Sequence, residues 1–145
     1  DYIARNSDII RGYMVHLIDE DVKCRGPLRM AKKEGDARKI EACRQTALSI
    51  CTEIINMMSQ LIDMAKELSA ICPADALCYA AEGTELALAA VKITRMYIVS
   101  VASQSPDETY RYVTRRENEL TLEACSAAAA EVTAKAEESL QTVHD

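Results

Sequence analysis

The chain has 145 residues, no Trp or Phe, four Gly and three Pro, and half of it is apolar. That length supports one domain, 1–145, with a sizeable core, and the composition favours helices over sheet. A formal net charge of −6 argues against nucleic acid as a partner, because polyanion binding needs clustered positive charge.

Six cysteines, at 24, 43, 51, 72, 78 and 125, show neither a Cys-x-x-Cys pair nor a regular ladder. Cys43, Cys51 and Cys125 occupy helical apolar positions, where a thiol acts as a small hydrophobe. Reduced thiols and a cytoplasmic setting are therefore expected. No apolar run approaches the roughly 20 residues of a membrane span, so neither a membrane partner nor a leader peptide is expected. The chain opens at Asp1, in mid-pattern, which is what a fragment or a processed product would show.

The first helix is expected from about Ile3 to Lys33, with Ile10, Tyr13, Met14, Leu17, Ile18 and Val22 as its apolar stripe. Gly26-Pro27 should end or kink it, since proline lacks the N–H and its ring crowds the preceding turn. A basic stretch from Lys23 to Lys39 follows, readable as a charged connector or an anion site. Gly35-Asp36 reads as a turn and a helix cap.

The stretch Ile40–Ile71 organises the rest. Ile40, Cys43, Ala47, Ile50, Ile54, Met57, Leu61, Met64, Leu68 and Ile71 form one row at three- and four-residue spacing. Leu48, Cys51, Ile55, Met58, Ile62 and Ala65 form a second row beside it. A face that wide needs partners on more than one side, which predicts the central helix of a bundle. Pro73 should stop it, because the residue before a proline is pushed out of the α region.

Asp75 is then expected to cap a third helix that carries Leu77, Leu88, Val91, Met96, Ile98 and Val101 and ends near Ser103. Ser105-Pro106-Asp107-Glu108 has the form of a capping box, with Ser105 as the cap. The last helix should run to about Val143, with Leu120, Ala124, Ala128, Val132, Ala136 and Leu140 as a small-residue row suited to close helix approach or self-association. The fold class predicted is all-α, an up-down bundle of about four antiparallel helices.

Candidate chemistry is sparse. His16, Asp19 and Glu20 share a helical face at i, i+3 and i+4, a spacing that suits acid–base work or a metal, but equally a solvated face with a local ion pair. A di-iron bundle would need Glu-x-x-His twice, and neither His16 nor His144 has a Glu three residues before it. No metal and no cofactor are expected. Phosphate-cradling loops and nucleophile motifs are absent from the sequence. Composition and spacing stop at a helical bundle and name no reaction.

Three stretches go further. Leu17-Ile18-Asp19-Glu20-Asp21-Val22, the long helix from Ile50-Cys51-Thr52-Glu53 to Met64-Ala65-Lys66-Glu67-Leu68, and the Ala-rich segment Leu86–Val91 with the Ser-Pro-Asp-Glu start that follows resemble the cyclodeaminase/cyclohydrolase family. That family comprises the deaminase half of formiminotransferase-cyclodeaminase and the methenyltetrahydrofolate cyclohydrolases. The resemblance implies an all-helical homodimer that binds a folate one-carbon derivative as substrate, with Asp19 and Asp21 at the family's acidic positions. Cys78 stands near the place where the family shows Ser-Asp, and so joins them as a substrate-binding candidate.

The family's Gly-rich loop, upstream of the acidic turn, is missing, and Tyr97 and Val101 stand where asparagines are usual. Two accounts are open here: a truncated piece lacking that upstream helix and loop, or a diverged and inactive member. The alternative function is a non-catalytic helical-bundle adaptor of the vinculin and talin kind, or a self-associating interaction domain.

Overall fold

The computed structural model describes residues 2–142, so His144 lies outside the described residues. Four helices account for nearly all of them: α1 (Tyr2–Glu34), α2 (Ala37–Ser69), α3 (Ala74–Ala102) and α4 (Glu108–Thr142). The connectors are two, four and five residues long. Links that short turn each helix back on its predecessor, which makes the up-down antiparallel order expected from the sequence.

Each turn has a local cause. Gly35 takes φ +69, a left-handed conformation that costs glycine little. The Asp36 N–H then reaches back to the Ala31 carbonyl at 3.2 Å, which closes α1 in a Schellman arrangement. The Asp36 carboxylate accepts from the N–H groups of Arg38 and Lys39, both at 3.1 Å, and so starts α2 as expected.

Three local expectations are corrected. Of the two outcomes expected at Gly26-Pro27, an end is excluded: α1 continues helically to Glu34. Pro27 and Lys23 are both exposed, so the carbonyl that loses its partner faces water, while Ala31 beyond them is buried. Asp75 does not cap α3; it lies in the first turn, and Pro73 occupies the cap position without a side-chain bond. Ser105 does not cap α4. Asp107 does, accepting from the Tyr110 N–H at 3.0 Å, while Ser105 accepts from the Asp107 N–H at 3.2 Å and braces the turn.

α2 is central in a literal sense. Its backbone approaches α1, α3 and α4, and α3 also packs against α4, but α1 approaches no helix other than α2. The molecule is thus a three-helix core of α2, α3 and α4 with α1 laid along one side of α2. The second apolar row of α2 goes deepest. Met58 and Ile62 meet Ala87, Leu88 and Val91 of α3 and Cys125, Ala128 and Ala129 of α4. Leu48 and Ile55 meet Ile98 in a second cluster. The first row is mostly half-buried toward α1, and its last member, Ile71, stands exposed beyond the helix. Thr84 and Ser69, the buried polar residues, are both satisfied. Thr84 Oγ1 donates to the Ala80 carbonyl at 2.7 Å, and Ser69 Oγ accepts from Lys135 Nζ at 3.1 Å.

The small-residue row of α4 holds only in its middle. Ala128, Val132 and Ala136 are buried, and Leu120, Ala124 and Leu140 are exposed. A strict four-residue spacing drifts about 40° per step around a helix of 3.6 residues per turn, so a long i+4 row winds off any one face. The small residues serve close packing inside the core.

Three stability outcomes follow. Ile62→Ala should cost roughly 2–5 kcal/mol in denaturant unfolding, because its side chain is fully enclosed. Asp107→Ala should cost about 1 kcal/mol through the lost cap, and Ser105→Ala distinctly less. The backbone bond from Lys39, with smaller help from the Lys39 charge, holds the Asp36 carboxyl below its ordinary 3.8. Its stabilisation is present above that value and lost as pH falls through the lowered folded value. Asp36→Asn, which still caps, should flatten that part of the acid unfolding curve measured by circular dichroism.

Candidate functional site

Because the backbone of α1 comes close only to that of α2, a groove is left between α1 and α3 with α2 as its floor. One end is a recess of about 440 Å³ lined by Asp21, Cys24, Arg25 and Leu28 of α1, Ala47, Cys51 and Ile54 of α2, and Ile93, Thr94 and Tyr97 of α3. Helical spacing explains the α1 contribution: residues 21, 24, 25 and 28 lie at i, i+3, i+4 and i+7 on one face. Asp21 pairs with Arg25 one turn on, their side chains 36% and 73% exposed.

The other ionisable groups in the recess are held neutral. Burial, reinforced by the negative charge of Asp21, pushes the Cys51 thiol up. Burial and the charges of Asp21, Glu20 and Cys43 do the same to Cys24. Burial is also the main cause that raises the Tyr97 phenol. At neutral pH the recess therefore offers one carboxylate–guanidinium pair in a largely apolar wall. That arrangement suits a flat, mostly apolar ligand with a few polar atoms along its edge. The thiols, kept protonated, are poor nucleophiles there.

Of the residues singled out in the sequence, only Asp21 lines this recess. Asp19 is exposed on another side of α1. Cys78 is half-buried near the start of α3, about 28 Å along the helix from Tyr97. His16 is exposed, its ring 6.2 Å from that of Tyr13. Glu20 is paired with Lys23 at 2.8 Å, and that bond lowers its pKa, so the His16–Glu20 cluster is a solvated face with a local ion pair. Among the described residues no group of three or more His, Cys, Asp or Glu is placed to hold a metal ion, and no helix is long and apolar enough to cross a membrane.

Part of the basic stretch is paired locally. Lys23, Arg25 and Lys39 pair with Glu20, Asp21 and Glu34. Sequence reading missed Cys24, Cys51 and Thr94 as neighbours of Asp21. The usable signal was the i, i+4 pair Asp21–Arg25, which marks a wet edge beside an apolar row.

Among solved structures, this fold superposes on formiminotetrahydrofolate cyclodeaminase from Thermotoga maritima with a TM-score of 0.83 over 92% of the chain. The fold is cyclodeaminase-like. The likeness expected from the order of helices is thus present in three dimensions. Sequence identity is 16% and the chain spans 67% of that protein, so what is shared is architecture. No profile of a known family and no curated protein sequence matches the chain.

The neutral thiols make a measurable difference. At pH 8, alkylation of Cys51 followed by mass spectrometry should be several-fold slower in the folded chain than in the denatured one. Equal rates would mean that the recess does not shield it.

Proposed function

We propose that this chain is a cyclodeaminase-like single-domain protein that binds a folate one-carbon derivative in the α1–α2–α3 recess. The observation that carries the reading is the superposition of 92% of the chain on a formiminotetrahydrofolate cyclodeaminase. The acidic turn of α1 supports it, since Asp21 falls in the recess rather than on an open face.

In this reading the pterin ring lies against Tyr97, Ile54 and Leu28. The Asp21 carboxylate accepts hydrogen bonds from the ring's N–H edge, as a charged acceptor does most strongly. Arg25 is close enough to Asp21 to orient it and to meet a carboxylate of the ligand. Cyclodeamination expels ammonia and hydrolysis consumes water, so either reaction needs a group that moves a proton. Asp21 is the first residue to test for that role. Asp19, and Cys78 at the far end of α3, are the outlying substrate-binding candidates. Six free thiols suit a reducing, cytoplasmic setting.

Isothermal titration with 5-formimino- and 5,10-methenyltetrahydrofolate tests the reading. Saturable heat is expected, with affinity reduced at least tenfold by Asp21→Asn and by Tyr97→Ala, and less by Asp19→Asn. The absence of heat with either folate, together with unchanged hydrogen exchange in α1, would remove the proposal. Turnover would be read separately from the absorbance of the methenyl product.

A further inference from the structure

The side of α4 that closes the core changes character along its length. Asn118, Cys125 and Val132 are spaced seven apart, as are Thr114, Thr121 and Ala128, so each set falls on one side of the helix. Cys125, Ala128 and Val132 are buried. There α4 meets α2 closely, with Ser59 Oγ 3.3 Å from Cys125 Sγ and Lys66 paired with Glu131 at 2.9 Å. Thr114, Asn118 and Thr121 hold the same positions nearer the start of α4 but are only half-buried. Between them and α2 lies a recess of about 590 Å³, with Leu48 and Ile55 of α2 and Ile98 of α3 as its floor. Apolar side chains in those positions would close the gap and bury more area. A packing rule set aside at one end of an interface marks a place shaped for something other than stability.

Hydrogen bonds along its walls determine what the recess can receive. Asn118 Nδ2 donates to the Thr114 carbonyl at 2.8 Å, Thr121 Oγ1 to the Glu117 carbonyl at 3.0 Å, and Thr52 Oγ1 to the Leu48 carbonyl at 2.9 Å. Each of these side chains spends a donor on its own helix and keeps oxygen lone pairs for the recess. Glu117 stands on the same wall and adds a carboxylate, which only accepts. Among the described residues no ion pair or hydrogen bond engages that carboxylate, and no Lys or Arg lines the recess. The walls are therefore rich in acceptors, carry one negative charge and stand over an apolar floor.

We infer that the α2–α4 recess is a second binding site, for a planar group with an amidine-type donor edge, an N–H beside an NH2 on one carbon. Such an edge gives a carboxylate two parallel hydrogen bonds, here to Glu117. The oxygens of Asn118 and Thr121 take further N–H groups, and the body of the ligand covers Leu48, Ile55 and Ile98. Tyr110 lines the same recess and offers an aromatic surface to a flat ring. The volume is that of a small-molecule site. The edge occurs in guanine, in the pterin ring and in guanidinium groups. No residue is shared with the α1–α3 recess, so the inference does not depend on the folate reading.

Isothermal titration of the full chain with guanosine, pterin and agmatine is the test, with adenosine, which lacks the edge, as the control. Saturable heat is expected with at least one of the first three and at least tenfold weaker binding with adenosine. Guanosine and pterin carry the edge on a fused ring and agmatine on a chain, so the tightest of them identifies the source. Glu117→Gln should weaken that binding at least tenfold, while Asp21→Asn leaves it unchanged. Asn118→Leu, which extends the row of Cys125 and Val132, should abolish binding without lowering the thermal midpoint. A lowered midpoint there would show that the polar row serves the core and would overturn the inference. So would the absence of heat with all three probes, or adenosine binding as tightly as they do. Binding lost in Asp21→Asn but kept in Glu117→Gln would assign the heat to the α1–α3 recess and overturn it as well.

Discussion

Coverage of the two apolar rows of α2 is the constraint from which the rest follows. Ile62 and Met58 cannot be shielded by one neighbour, because a face that wide subtends more of the helix than a single contact covers. Ala128 and Ala129 let α4 come close, and Val91 and Leu88 fill the space that this leaves on the α3 side. Small residues opposite large ones give the dense packing that a core requires. With α3 and α4 in place, the first row of α2 is left for α1, which therefore has one partner where the other helices have at least two.

That asymmetry generates the surface of interest. Since α1 is pinned on α2 alone, its side toward α3 stays open, and Asp21 and Arg25 sit at the edge of an apolar recess rather than in bulk solvent. Since α3 spends its inner side on α2 and α4, Tyr79, Leu86 and Ile93 are left exposed on its outer side.

The cyclodeaminase-like likeness sits well with this economy. At 16% identity what is shared is the path of the chain, and that is what a three-helix core with one outlying helix constrains. Site chemistry is under no such constraint. A carboxylate at position 21 and a tyrosine at 97 can change while Ile62, Val91 and Val132 stay, because the former face a groove and the latter are enclosed.

By itself the sequence determined four helices, their order and the central place of Ile40–Ile71, since periodicity and turn residues act over a few residues and are written into neighbours. The Gly35-Asp36 turn was legible for the same reason. Capping was less so: Asp107 and Ser105 are both good caps two residues apart, and the path of the chain out of α3 chose between them. Pro27 looked like a stop, and only the exposure of its surroundings showed that α1 could pass through it. Tertiary structure alone decided that Asp21 has Cys51 and Tyr97 as neighbours while Asp19 and Cys78 stand elsewhere. It also decided that only the middle of the α4 row, Ala128, Val132 and Ala136, is buried. Which side of a helix faces water depends on where the other helices lie, and that is a property of the packed whole rather than of any local stretch.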